Sequence, residues 1–345
     1  MQFPDWNYLR RRTSPFCHGE IAGGTPEMSR TTLSLNTQRR IMARIAENLP
    51  DDLPEEDALR WVNDCAELKK GLRGLLMPEI NWLDQLVQAE NDIYSAFLVR
   101  GQAIDFSQFK ATLKSHGEEH ISRWIQLGLE PHFLPKRQFR QDEKLRGWKV
   151  KPKKWFWQQM AACTIKRRNV AGELVTVTEA GFDGDTVLID TRCKPAYDNG
   201  RQMFADDEAF LGGLIKDLRS RGEIARYDSG QQDSRFGVSS LEWDEQIRPA
   251  LEARPEFKGV SFRLELAIEA NTIPQIYGRM PRHKDGQTDT WVWYEEFFEG
   301  ASRRLDGGSS VYGGLADVCC DGVRSHWRSG AVRPLGVVAT LPLGS

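Results

Sequence analysis

Apolar residues in the first third of the chain recur every three or four positions, which is the spacing of a helix with one buried face. Four such stripes lie between Thr37 and Gly128. They consist of Ile41, Ile45 and Leu49; Leu59, Val62, Leu68, Leu72 and Leu75; Ile80, Leu83, Leu86, Ile93, Phe97 and Leu98; and Phe109, Leu113, Ile121, Trp124, Ile125 and Leu129. The pattern predicts an N-terminal helical bundle in a domain of residues 1–135, whose first 36 residues show little periodicity.

Beyond residue 155 the spacing changes between that of helices and that of strands. Helical spacing covers 155–168, 204–221, 243–253 and a stretch that ends at Arg304, whereas strand alternation covers 172–180, 186–191, 259–268 and 337–341. The strictest alternation has apolar residues at 260, 262, 264, 266 and 268, so a strand is predicted over the whole of 259–268. The two parts together predict an α+β fold, with the second domain over residues 155–345.

Composition limits the class of protein. A chain of 345 residues with 40% hydrophobic and 28% charged residues is typical of a globular protein with two domains. No run of about 18 apolar residues exists, so no membrane partner is expected. The six cysteines are scattered and no Sec signal pattern is visible, which favours a cytoplasmic protein, although export in folded form stays open.

Positive charge is concentrated between Lys136 and Arg168, where twelve basic residues stand against two acids. Tryptophan and phenylalanine are interleaved with them, and basic side chains bind phosphates while aromatic faces stack on bases. The candidate nucleic-acid-binding residues are Lys149, Lys151, Lys153, Lys154, Trp155, Trp157, Arg167 and Arg168. The alternative is a solvated linker, residues 136–154, with aromatic residues that dock on the neighbouring domain.

An acidic motif follows the basic segment. Asp183 and Asp185 lie in a turn, Asp190 ends the next predicted strand, and Arg192 and Lys194 come after it. Carboxylate oxygens are the ligands that Mg²⁺ prefers, and a cation two residues further along projects to the same face of a strand. One interpretation is a metal-dependent nuclease with candidate metal ligands at Asp183, Asp185 and Asp190, and with Arg192 and Lys194 beside the scissile phosphate. The alternative is a solvent-exposed β-hairpin with ordinary polar ends.

The order of elements over residues 155–270 resembles the core of the PD-(D/E)xK restriction-endonuclease-like superfamily. Phe182-Asp183-Gly184, Leu188-Ile189-Asp190-Thr191-Arg192 and Tyr197-Asp198 are similar to motifs in the restriction-endonuclease-fold toxin domains of bacterial polymorphic toxins. The resemblance implies a mixed-sheet domain and a Mg²⁺-dependent nuclease. It also implies a role in bacterial antagonism or defence, with a cognate inhibitor as partner. Residues 271–345 would then be a C-terminal extension.

Carried over to this chain, the resemblance makes Asp183 the first metal ligand, with Asp185 as its substitute, and Asp190 the second. Arg192 stands where the superfamily has lysine, and arginine cannot act as a base because it does not deprotonate in proteins. Lys194 is the candidate to replace that lysine. If it does not, the fold is expected to bind nucleic acid without cleaving it.

Two alternatives come from other residues. His116, Glu119 and His120 fit the H-x-x-E-H pattern of inverted zinc peptidases, in which two histidines on one helical face bind Zn²⁺. A non-enzymatic module that binds nucleic acid or protein is the other alternative, with the apolar and aromatic C-terminal third as its interaction surface.

Overall fold

A computed structural model describes the chain from residue 81 onward with several gaps. The described ranges are 81–97, 103–145, 148–149, 152–169, 171–190, 210–277, 291–309, 315–326 and 330–342. The predicted helices before residue 81 lie outside them, as do Lys151, Arg192 and Lys194. Helices and antiparallel sheets occur together in the described part, so the α+β prediction is confirmed at that level.

The helices bury one face each. Leu83, Leu86, Glu90 and Tyr94 lie at helical spacing on α1 and are all buried. The described helices are α1 (Trp82–Phe97), α2 (Ser107–Gln126), α3 (Lys154–Ala161), α4 (Leu211–Ser220), α5 (Ser240–Glu242, the π-helical Trp243–Ile247 and Arg248–Glu252) and α6 (Ala267–Ile276), with a 3₁₀ turn at Pro255–Phe257.

The strands form two main sheets. They are β1 (Leu129–Leu134), β2 (Arg137–Gln138), β3 (Lys144–Leu145), β4 (Trp148–Lys149), β5 (Ile165–Arg168), β6 (Leu174–Thr176), β7 (Gly181–Phe182), β8 (Asp185–Asp190), β9 (Val260–Leu264), β10 (Trp291–Phe298), β11 (Arg303–Ser309), β12 (Leu315–Gly322), β13 (Gly330–Ala331) and β14 (Pro334–Val338). One sheet has the order β1-β8-β14-β9, and the other has the order β12-β11-β10-β5-β6 with β13 beside β10.

Strand β8 is buried on both faces. Val187 and Ile189 point into one hydrophobic cluster and Leu188 into a second. Its neighbours β1 and β14 are both antiparallel to it, and β14 is antiparallel to β9. The sheet that carries Asp190 is therefore antiparallel at every described pairing, unlike the mixed sheet that the resemblance implied.

The predicted division at residue 135 is wrong for the described part of the chain. Strand β1, at residues 129–134, pairs with β8 from Leu129↔Asp190 to Leu134↔Asp185. The supposed linker also belongs to the fold, since β2 pairs with β7 and β3 with β4. The supposed C-terminal extension contributes β14 to the middle of the same sheet. Backbone pairing between distant segments thus joins all three predicted parts.

Several predicted elements end earlier or change type. The helix over 155–168 stops at Ala161, because Cys163 turns with a φ of 58° and Ile165–Arg168 pairs with β10 and β6 as a strand. The strand over 259–268 stops at Leu264, because the Glu269 carboxylate accepts the Leu266 N–H at 2.8 Å and starts α6. The stretch that ends at Arg304 contains the end of β10, a turn over 299–302 and the start of β11 rather than a helix.

Two glycines with positive φ separate the effect of backbone strain from that of packing. A Cβ on Gly237, whose φ is 64°, would lie 2.4 Å from Cδ2 of Tyr227, whereas one on Gly222, at φ 74°, would meet nothing within 4 Å. We expect Gly222→Ala to cost about 1 kcal/mol of unfolding free energy and Gly237→Ala about 2–4 kcal/mol. Urea denaturation measures both variants, and equal losses would contradict the packing at Tyr227.

Candidate functional site

Asp190 is part of a buried ion pair. It ends strand β8 with 2% of its surface exposed, and its Oδ2 lies 2.8 Å from Nη2 of Arg235, which is fully buried. Arg333 donates to the backbone carbonyl of Asp190 at 3.2 Å. The carboxylate that the motif assigned to metal is therefore engaged by a guanidinium inside the protein.

A second buried arginine holds the segment that carries Arg235. Arg219, on α4, has only 2% of its surface exposed and donates hydrogen bonds of 2.8–3.0 Å to backbone carbonyls of Ala225, Gln232, Ser234 and Phe236. Burial lowers the pKa of Arg219 to about 10, so it stays charged at neutral pH. Arg219 thereby fixes the loop between α4 and α5 against the sheet.

Asp183 and Asp185 lie in a different environment. The Asp183 side chain is 57% exposed, and its Oδ2 is 3.6 Å from Nη1 of Arg167. Burial raises the pKa of Asp185 above its usual value, Arg263 opposes that rise, and the Asp183 and Glu269 carboxylates add to it. These two acids thus share the surroundings of Arg167 and Arg263 rather than those of Asp190.

The predicted metal site is wrong as a single site. Asp185 and Asp190 are the two ends of β8, so their Cα atoms are about 16 Å apart at ~3.3 Å per residue. Positions five residues apart also face opposite sides of a strand. Carboxylates that share one Mg²⁺ lie within a few ångströms of each other. Among the described residues, no group of three or more His, Cys, Asp or Glu side chains is placed to hold a metal ion.

Buried glutamates near Asp185 were missed by sequence reasoning. Glu269 accepts two hydrogen bonds of 2.6 Å from Arg263, and Glu296 accepts the Ala267 N–H at 3.0 and 3.2 Å at the start of α6. Burial raises the pKa of Glu296 to about 7, although the Ala267 N–H lowers it. A signal existed in the sequence, since Glu295 and Glu296 interrupt the apolar run 291–298. The arginine and backbone partners of these acids make the group a structural network.

The predicted nucleic-acid-binding residues differ in their exposure and in the groups that they contact. Lys153 and Lys154 are exposed at the start of α3, and Lys149 lies in β4. Arg167 is close to Asp183, as described above. Arg168 is exposed, donates to the Gly172 carbonyl at 3.1 Å and lies over the ring of Phe297.

The two predicted stacking tryptophans differ. Trp157 donates its indole N–H to the Pro152 carbonyl at 2.9 Å and packs edge-on against Phe156, which is buried. Trp155 is partly exposed and packs against Phe298, with ring centroids 5.5 Å apart. Trp157 is also partly exposed, but it packs on a buried ring whereas Trp155 packs on a partly exposed one, so Trp155 is the better candidate for contact with a base.

The zinc-peptidase triplet does not form a site. Gly117 has a φ of 79° and a ψ of 163°, which interrupts α2 between the two histidines. His116 Nε2 is 2.8 Å from the Ala339 carbonyl and so donates to it, while Glu119 and His120 are exposed. The ring centroids of His116 and His120 are 6.5 Å apart. Because the helix is broken here, the spacing that would align the ligands is lost.

Three apolar residues of the C-terminal third, at the start of β10, are buried. Val292, Trp293 and Tyr294 are 5%, 0% and 2% exposed, and the Trp293 indole N–H donates to the Val238 carbonyl at 2.9 Å. Val292 and Tyr294 pack in one hydrophobic cluster and Trp293 packs in the other. These three side chains therefore do not contribute to a surface for a partner, and the alternative that the C-terminal third forms such a surface stays a prediction.

A buried histidine cluster also escaped sequence reasoning. His132, on β1, has its Nδ1 against Glu90 of α1 and its Nε2 3.5 Å from Glu130. The Tyr277 hydroxyl donates to Glu90 at 3.0 Å, and the Tyr94 hydroxyl lies 3.2 Å from the Tyr277 hydroxyl. Burial alone lowers the pKa of His132, but Glu90 and Glu130 raise it to about 9. The imidazolium therefore joins α1 to the sheet.

Comparisons with known proteins find no match to this chain. No protein-family model matches the chain, and neither does any curated protein or solved structure. The resemblance to restriction-endonuclease-like proteins consequently stays a prediction. None of the described helices is long and apolar enough to cross a membrane.

The Asp190–Arg235 pair generates a stability prediction. Asp190→Ala should lower the unfolding free energy by about 3–5 kcal/mol, because it leaves a buried guanidinium without its acid. Asp183→Ala, the matched control at an exposed pair, should change it by less than about 1 kcal/mol. Urea denaturation of both variants is the measurement, and a small loss for Asp190→Ala would contradict a structural role.

The His132 cluster generates a pH dependence. Since the folded pKa of about 9 exceeds the unfolded value, the stabilisation is complete below about pH 6.5 and is lost as pH rises through about 9. Its size is on the order of 3 kcal/mol. We expect His132→Gln to flatten unfolding free energy against pH between about pH 6.5 and 9. Tyr94 and Tyr277 do not interfere, because burial raises the pKa of each well above its usual value. If the unfolding free energy of the variant and of the wild type changed with pH in parallel, His132 would not be charged in the folded protein.

Proposed function

We propose that this protein binds nucleic acid through exposed basic residues of the segment 136–168. The supporting observation is the charge of that segment where the structure describes it. Lys136, Arg140, Lys153, Lys154 and Arg168 are all exposed. The two acids in the segment are Asp142 and Glu143, and Glu143 already pairs with Arg137 at 2.9 Å. A surface with this excess of cations attracts a polyanion.

The start of α3 adds to this attraction. No side chain caps the helix, and its first turn contains no acid. The partial positive charge of a helix N-terminus therefore lies next to the positive charges of Lys153 and Lys154, an arrangement that costs stability until an anion binds. A phosphate group of a nucleic acid chain would relieve the repulsion.

Cleavage is not included in the proposal. Asp190 is buried against Arg235 and far from Asp183 and Asp185, so it cannot share one Mg²⁺ with either of them. The binding alternative suggested by the sequence fits these contacts better than the nuclease. A role in antagonism or defence, with a cognate inhibitor, rests on the resemblance alone.

The start of α3 generates a test by salt dependence. Lys153→Ala/Lys154→Ala should weaken binding and reduce the slope of log affinity against log salt by about 1.4–1.8, because two phosphate contacts are lost. The matched control is Lys114→Ala/Lys216→Ala, which removes two exposed lysines from α2 and α4. Fluorescence anisotropy with a labelled oligonucleotide at several salt concentrations measures both.

The control variant should keep the wild-type slope. An equal fall for both double variants would mean that only net charge matters. Absence of binding by the wild-type protein at low salt would overturn the proposed function.

A further inference from the structure

Trp155, Phe298 and Arg303 form a stack that we call the stacking surface. The Trp155 and Phe298 ring centroids are 5.5 Å apart with an angle of 37° between their planes. The Arg303 guanidinium carbon lies 5.2 Å from the Phe298 centroid. Both aromatic side chains are partly exposed and Arg303 is exposed. An aromatic pair with an arginine over one ring is an arrangement on which a further flat group can stack.

The stacking surface is held firmly by the six-stranded sheet. Phe298 pairs with Ile165, the first residue of β5, and the next backbone N–H, that of Glu299, donates to Thr164 at 2.8 Å. Trp155 lies in the first turn of α3, and a short turn joins the end of α3 to β5. The parts of the surface are thus positioned before any ligand arrives, so little ordering entropy is lost on binding.

Charge around the surface favours a polyanion. Lys153 and Lys154 immediately precede Trp155 in the chain, and Arg303 lies over the Phe298 ring; all three cations are exposed. Glu299, next to Phe298, is an exposed acid, and Asp306 is close enough to Arg303 to interact with it electrostatically. A ligand that fits must combine flat apolar faces with closely spaced negative charges, which describes a nucleic acid strand with unpaired bases.

We propose that the stacking surface binds single-stranded nucleic acid by stacking an unpaired base on Trp155. This inference rests on the proposed function and specifies its ligand. In a duplex the base faces are covered by their neighbours, whereas a single strand exposes them to aromatic side chains. Phosphates on either side of the stacked base then meet Lys153 and Lys154.

The first test compares three ligands on the wild-type protein. They are an oligothymidylate of about 16 nucleotides, near the upper site size of single-strand binders, an abasic oligomer with the same number of phosphates, and a duplex of the same length. Stacking of one base should make the oligothymidylate bind between about 5-fold and about 150-fold more tightly than the abasic oligomer. It should also bind more tightly than the duplex.

The second test uses variants of the stacking surface. Trp155→Leu keeps an apolar side chain but removes the ring, so it should abolish the preference for oligothymidylate over the abasic oligomer. Trp82→Leu, at a partly exposed tryptophan of α1, is the matched control and should keep the preference. Arg303→Gln should reduce it, with circular dichroism confirming that each variant is folded.

The outcomes separate this inference from the function on which it rests. Equal affinity of the wild-type protein for the oligothymidylate and the abasic oligomer would overturn stacking, and the effect of Lys153→Ala/Lys154→Ala could still support the basic surface. A preference that survives Trp155→Leu would also overturn it. Absence of binding to all three ligands would overturn both proposals. Because the wild-type comparison needs no substitution, the inference stays testable even if Trp155→Leu does not fold.

Discussion

Burial of strand β8 on both faces is the constraint on which the other structural features depend. Because β1 and β14 flank it and a hydrophobic cluster covers each face, its residues cannot reach solvent along most of its length. An acid at the end of such a strand must find a partner inside the protein, since an unpaired buried charge is very costly. The partner of Asp190 is Arg235, with which it forms an ion pair. Asp185 is at the other end of β8, far from Asp190, and its side chain lies on the opposite face of the strand.

Other buried charges follow the same rule. Arg219 satisfies its donors with backbone carbonyls, and Arg304 contacts Asp244 at 2.7 Å and Glu295 at 2.9 Å. His132 is charged between two glutamates. His132 and Glu90, and Arg304 and Asp244, join segments that are far apart in the sequence, whereas Arg219 fixes a loop that follows it closely in the chain. Among the described residues, these buried charged groups serve mainly to hold the fold together, whereas the residues of the proposed binding surface are exposed or partly exposed.

Elements whose signal is local could be predicted. Helices α1 and α2, the body of α4 and the strand at 186–190 follow from apolar spacing alone. The start of α5 was predicted too late, at residue 243, although Ser239 and Glu242 form a capping box that begins the helix at Ser240. Elements that depend on distant partners could not be predicted. The stretch 165–168 reads as helix by periodicity, yet pairing with β10 and β6 makes it a strand.

The sequence by itself determined that the chain combines helices with strands and that positive charge and aromatic rings are concentrated between residues 136 and 168. These properties depend on residues near one another in the chain. Tertiary structure alone decided which charged groups meet, that Trp155 packs against Phe298, and that Trp293, Tyr294 and Phe297 are buried. The physical reason is that strand pairing and core packing join residues more than a hundred positions apart, and a one-dimensional pattern does not specify those partners.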